Sequence, residues 1–252
     1  MASNEPIDSS GADLASATIR LEEAVRSGDL ELLKAAVASV ALSEDLALVL
    51  LKRAELPAEI LEQLSKRPAG KHRKVQLALV AHPKTPRYVS MAIVRQMFTF
   101  DLMQAALMPI VPADVKKSAE EALLHRLEKL TLGERLTLAK RASGRVAGEL
   151  LLDSEGRVSQ TALDNARLTE AHIVKALTGA KARASLVHAI CTHSKWPLRR
   201  DIRIALLRNE KLPLTYAMEY ALGLPAKTVR EILQASRLPA HVKQRVLDAI
   251  NG

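Results

Sequence analysis

Leu207-Arg208-Asn209-Glu210-Lys211-Leu212-Pro213 decides how this chain reads, because the phrase recurs. Leu51-Lys52-Arg53-Ala54-Glu55-Leu56-Pro57 is a near copy. Looser copies are Val80-Ala81-His82-Pro83-Lys84-Thr85-Pro86, Leu163-Asp164-Asn165-Ala166-Arg167-Leu168-Thr169, Cys191-Thr192-His193-Ser194-Lys195-Trp196-Pro197 and Leu233-Gln234-Ala235-Ser236-Arg237-Leu238-Pro239. In each, an apolar residue closes one segment, a short polar linker follows, and a second apolar residue precedes the Pro or Thr that opens the next segment. A recurring helix-turn-helix joint predicts units that bury their apolar faces on one another. The expected fold is all-α, a right-handed α-solenoid of about eight short helical hairpins.

Composition agrees. Apolar residues make up 48% of the 252, enough for a continuous core, whereas aromatics are only 2%. A core built from Leu, Ala, Val and Ile suits helix stacking, and strands would carry more β-branched and aromatic residues. Aromatic poverty also removes the stacking platforms that binders of single-stranded nucleic acid use. The single cysteine, Cys191, excludes an intramolecular disulfide framework and fits a reducing compartment. Residues Met1 to Ala12 are polar and lack an apolar signal-peptide core, and no apolar run reaches spanning length. A cytoplasmic protein is expected.

Charge is spread unevenly along the chain. Residues 1–65 hold 12 acidic and 5 basic side chains, and the remainder holds 16 acidic and 32 basic. Lys66 to Gln96 contains no Asp or Glu. Such asymmetry points to an anionic partner for the later segments, against the plainer reading of a solvated basic surface.

Along the chain, residues 1–12 read as a disordered tail and 13–252 as one domain, since no Gly/Ser-rich linker divides them. About seventeen short helices are expected. Their starts fall near Asp13, Asp29, Ser43, Pro57, Lys71, Pro86, Thr99, Pro112, Thr131, Gly144, Glu155, Thr169, Lys181, Pro197, Pro213, Pro225 and Pro239. Pro is assigned to the first helical turn, where its missing N–H costs nothing. Pro57 to Pro86 is a period of 29, Pro197 to Pro225 of 28 and Pro213 to Pro239 of 26. The register slips between Pro112 and Arg145, where one longer helix is expected. The last helix should turn Val242, Val246, Ala249 and Ile250 inward.

Leu151-Leu152-Asp153-Ser154-Glu155-Gly156-Arg157-Val158, followed by Ala162-Leu163-Asp164-Asn165, resembles HEAT-like and leucine-rich-variant helical repeats of bacterial proteins. In those, an Asp-containing turn leads into a helix bearing Arg/Val and an Ala-Leu pair, and an Asn turn ends it. The resemblance extends in pattern over residues 40–250. It implies an α-solenoid with a binding surface and implies no reaction.

Candidate sites are few. Lys140-Arg141-Ala142-Ser143-Gly144-Arg145 places three cations around a small turn at a helix start, a setting that binds anions, against the plainer and favoured reading of an ordinary inter-helix turn with solvated charges. Lys195-Trp196-Pro197-Leu198-Arg199-Arg200-Asp201-Ile202-Arg203 holds the only Trp, with Arg199 and Arg203 one helical turn apart and Arg200 beside them. Trp196 either contacts a partner or fills the slot that Leu56 and Leu212 occupy elsewhere. Arg73, Lys74 and Arg87 add candidate contacts from the carboxylate-free stretch.

His172, His188, Cys191 and His193 cluster in sequence but lack a second ligand pair, so no metal is expected. Ala69-Gly70-Lys71-His72 lacks the spacing, the Ser/Thr and the preceding strand of a phosphate loop. HEAT-like folds include glycosylases for alkylated bases, which pair an acid with an aromatic cage in a basic groove. Asp201 near Trp196 is the one such pairing, and a single Trp makes no cage. No enzyme and no cofactor are expected. The expected function is an interaction module for an acidic partner, a protein by preference, with binding to a nucleic-acid backbone as the alternative.

Overall fold

A computed structural model describes residues 19–251. The expected tail over 1–12 and the helix start at Asp13 lie outside the described residues. Every regular element among the described residues is helical, and none is long and apolar enough to cross a membrane. Contacts divide the chain into two compact units, with the division between Ala122 and Leu123. That point falls inside the helix Ala113–Arg126, in the stretch where the sequence register slips.

The helices begin where their caps stand. Asp29 accepts from the Glu31 N–H at 2.8 Å and Ser43 from the Leu46 N–H at 3.2 Å. Thr131 and Glu134 cap each other's backbone N–H groups reciprocally. The prolines hold a different place from the expected one. Pro57, Pro213 and Pro225 are N-caps with ψ of 144°, 145° and 136°, one residue before the first helical turn. The N-cap carbonyl accepts the first helical bonds, as Pro57 does from Ile60 at 3.1 Å, while its own N–H has no helical partner to lose. Pro197 instead enters a short 3-10 turn, Trp196–Leu198, and the helix proper runs Arg200–Leu207.

In the first unit, Leu30–Ala38 packs on Ala58–Lys66 in one layer. Glu44–Leu51, Arg73–Ala81 and Thr99–Leu107 pack in succession in the other. The second unit repeats the scheme. Leu132–Arg141, Gly156–Leu163 and Ala184–Thr192 form one layer, and Gly144–Leu150, Glu170–Thr178, Arg200–Leu207 and Ala226–Gln234 form the other. The interior is Leu, Val, Ile and Ala, with Trp196 and Tyr220 its largest side chains. In the closing helix Ala240–Asn251, Val242 and Val246 are buried while Ala249 and Ile250 are half-buried.

The joints share one geometry. Their opening and closing apolar residues are buried: Leu51 with Leu56, Val80 with Thr85, Leu163 with Leu168, Cys191 with Trp196, Leu207 with Leu212. In five of the six phrases the third residue is polar (the exception is Ala235), and its side chain reaches the joint one hairpin earlier. Arg53 donates to the Val25 and Ser27 carbonyls at 2.9 and 2.6 Å. His82 Nε2 bonds the Arg53 carbonyl at 3.0 Å. Asn165 donates to the Ala139 carbonyl at 2.8 Å, and Asn209 to that of Leu177 at 2.7 Å. His193 Nε2 meets the Asp164 carboxylate at 3.2 Å.

These side chains also act locally. The remaining polar atom of His82, Asn165, His193 and Asn209 accepts the backbone N–H two residues on, from Lys84, Arg167, Lys195 and Lys211 at 2.7–3.2 Å. One side chain therefore shapes its own turn and ties it to the previous one. Ser27 and Ser39 keep only the local half, accepting from Asp29 and Ala41, and Asp153 accepts from Glu155 while also holding Arg135.

Close approach fixes two glycines. A Cβ at Gly70 would lie 1.9 Å from the Leu64 carbonyl oxygen, and one at Gly144 would lie 2.3 Å from that of Arg167. The resulting prediction for the joints concerns Asn209, buried with both ends of its amide engaged. Asn209→Ala leaves the Leu177 carbonyl and the Lys211 N–H unpaired in the interior and costs about 2–3 kcal/mol, read by urea unfolding. His82→Asn, which supplies the same donor and acceptor, costs less than His82→Ala in the same experiment.

Candidate functional site

The expected contact residues of the first unit are engaged. Arg73 lies over the Phe98 ring at 4.8 Å and grips Asp101 with two bonds of 2.8 and 3.0 Å. The bonds to Asp101 hold the Arg73 guanidinium above its ordinary pKa. Lys74 stands 3.9 Å from Glu44, and Arg87 is 3.2 Å from Asp114. Lys84 bonds Glu55 at 2.8 Å and holds that carboxyl below the usual range. Lys66, with the Tyr88 hydroxyl, does the same for Glu62. Each carboxylate comes from outside the carboxylate-free stretch, so five of the eight cations between Lys66 and Gln96 are met by their neighbours.

In the second unit the structure separates the expected residues. Lys140 and Arg141 are exposed and their side chains have no carboxylate partner among the described residues. The turn they flank is closed: Ser143 caps Val146, and Gly144 packs under the Arg167 carbonyl and the His172 ring. Arg145 is half-buried and not free. Trp196 is 1% exposed, and its Nε1 donates to the Leu163 carbonyl at 2.9 Å. It fills the slot of Leu56 and Leu212 and presents no ring to a partner.

The three arginines after Trp196 do not form one outward row. Arg203 turns back, donating from Nε to the Pro197 carbonyl at 2.5 Å with its guanidinium 5.7 Å from the Tyr220 ring centroid. The 3-10 turn brings that carbonyl within reach. Arg199 pairs with Glu170 at 3.5 Å, and Arg200 is exposed without a partner.

The histidines and the cysteine have structural tasks. His172 bonds Thr169 at the start of its helix, and His188 meets the Tyr216 ring edge-on. Cys191 is buried, and that burial pushes its thiol pKa up, away from the thiolate needed for reactivity or metal binding.

The cations that stand free in the second unit lie largely where the sequence was read only for fold. Lys181, Arg183 and Arg208 are exposed at joints, and none has a carboxylate partner among the described residues. Lys211 and Arg237 occupy joints as well, with their charged ends on the Ala182 and Thr178 carbonyls. The signal for them was present, since Arg208, Lys211 and Arg237 sit inside copies of the recurring phrase. Lys181 and Arg183 also rim a groove of about 820 Å³ floored by Leu124, Leu127, Leu150 and Leu152. In that groove Arg135 and Asp153 bond at 2.6 Å. Residues 1–122 carry 15 basic and 16 acidic side chains, and residues 123–252 carry 22 and 12. The positive excess belongs to the second unit. Comparison with protein-family models, curated proteins and solved structures finds no match to this chain.

Two outcomes follow from these placements. Arg203→Ala loses a charged hydrogen bond and ring contact and costs about 1–3 kcal/mol, whereas Arg200→Ala stays within about 0.5 kcal/mol of the parent by thermal unfolding. Cys191 reacts with a thiol-specific chromogenic disulfide far more slowly in the folded chain than in urea. Equal rates would show an open thiol.

Proposed function

We propose that this chain is a right-handed solenoid of about eight HEAT-like hairpins that works as a non-enzymatic docking module for an acidic protein. The recurring joints, each tied to the one a hairpin earlier, support the solenoid. One observation carries the docking reading: the second unit's positive excess stands on exposed, unpaired side chains. Lys140, Arg141, Lys181, Arg183, Arg200 and Arg208 have no carboxylate partner among the described residues. Complementary charge of this kind raises association rates and orients the partner. The single reduced thiol suits the cytoplasm.

The aromatic side chains favour a protein partner over single-stranded nucleic acid. In the second unit Trp196 and Tyr220 are buried, and Tyr216 is half-buried against Tyr220 at 6.1 Å. Among the described residues of the second unit, no exposed Phe, Tyr or Trp ring accompanies the free cations for bases to stack on.

Fluorescence anisotropy with a labelled poly-glutamate peptide and with labelled duplex DNA tests the reading. At about 0.15 M salt the peptide binds at micromolar concentration, and the triple variant Lys140→Glu, Arg141→Glu, Arg200→Glu weakens it about tenfold or more. DNA is held only at low salt. Duplex binding that survives physiological salt and exceeds peptide binding would replace the protein by a nucleic-acid backbone. Binding of neither ligand would sink the docking module as stated.

A further inference from the structure

We propose that the stacked joints 177–182, 207–212 and 233–238 form an oxyanion pocket, the point where the acidic partner inserts one carboxylate or phosphoryl group. The inference rests on the docking reading and assigns it a specific contact. A small cavity of about 130 Å³ opens between these joints, lined by Arg208, Lys211 and Arg237 among others. It is small against the roughly 300–1,000 Å³ of sites that take organic ligands, and it suits a single oxyanion.

Its charge is unbalanced. Arg208 makes no side-chain bond among the described residues and is exposed. Arg237 spends one Nη on the Thr178 carbonyl at 3.4 Å, leaving its other donors open. The two are held as neighbours by the backbone, since the Arg237 N–H donates to the Arg208 carbonyl at 3.1 Å. Lys211 Nζ bonds the Ala182 carbonyl at 2.6 Å and adds a third positive charge. The only carboxylate on the wall is Glu210, 3.8 Å from Lys211 and directed to that lysine.

Two arginines and a lysine line this cavity against one carboxylate, an excess that an anion would match. Arginine forks match the geometry of carboxylate and phosphoryl oxygens. Joint stacking fixes the backbone beneath all three, so the site is organised before the ligand arrives. The buried amide of Asn209 holds the middle joint in place.

The test is a titration of the full chain with inorganic phosphate, and separately with acetate, followed by ¹H–¹⁵N NMR at constant ionic strength. Saturable shifts centred on the amides of Gly179, Arg208, Asn209 and Arg237 are expected. Arg208→Ala and Arg237→Ala each weaken saturation about tenfold, while Lys227→Ala, a free cation outside the cavity, leaves it unchanged. Preference for phosphate over acetate identifies a phosphoryl group as the natural occupant, and the reverse identifies a carboxylate. Arg208 has no internal bond to lose, so its variant keeps the fold, checked by its unfolding midpoint. Shifts that rise linearly, or that persist in both arginine variants, overturn the pocket. Poly-glutamate binding unaffected by Arg208→Ala and Arg237→Ala would leave the docking module standing and remove the pocket. Saturable phosphate binding without poly-glutamate binding would do the opposite.

Discussion

A buried side chain that must satisfy two backbone groups at once holds this architecture together. At Asn165 and Asn209 the amide donates to a carbonyl 26 and 32 residues upstream and accepts an N–H two residues downstream. Neither backbone group has another partner in the turn, and an unpaired buried donor or acceptor is costly. The side chain therefore sets local turn shape and long-range stacking together. Loss of one disturbs both.

The requirement is for a function, not a residue type, which explains why the position varies in sequence. Asn and His each offer a donor and an acceptor at the right separation. For His82 and His193 the geometry places the acceptor on Nδ1, facing the backbone N–H of Lys84 and Lys195. Arg53 has donors only, and it covers two upstream carbonyls instead. The sixth position, by contrast, answers first to burial, and a polar atom placed there must find a carbonyl, as the Thr85 hydroxyl does at Leu79. Leu56, Thr85, Leu168, Trp196, Leu212 and Leu238 all serve there. Trp196 adds a bond to Leu163 that the smaller residues cannot make.

Helix positions were legible because the signals that start them are local. Thr99 and Gly144 begin helices as read, and Ser43, Thr131 and Thr169 stand one residue before theirs. The start expected at Lys181 falls at Ala184, because Ala182 is the buried closing residue of its joint. Side-chain direction was less legible. Helical spacing put Arg199 and Arg203 on one face, but the 3-10 turn at Trp196–Leu198 set the Pro197 carbonyl where Arg203 reaches it. Nothing in the spacing of two arginines encodes that turn. The burial of Trp196 was open in the sequence, since the phrase that contains it allowed both an exposed and an interior ring.

Net charge was legible and its availability was not. The carboxylate-free run Lys66 to Gln96 drew attention as the most basic stretch, yet Arg73, Lys74, Lys84 and Arg87 all meet carboxylates from elsewhere in their unit. Stacking places side chains about one hairpin apart in contact, so a cation's partner is set by the residue roughly 28 positions away. With 16 acids for 15 bases, the first unit has enough carboxylates to meet its cations. The second has 12 for 22, and some of those acids are committed to turns and caps, as Asp153 and Glu134 are. The same joint geometry thus meets most cations of the carboxylate-free run in one unit and leaves a larger excess in the other. What distinguishes the units is the supply of carboxylates one hairpin away.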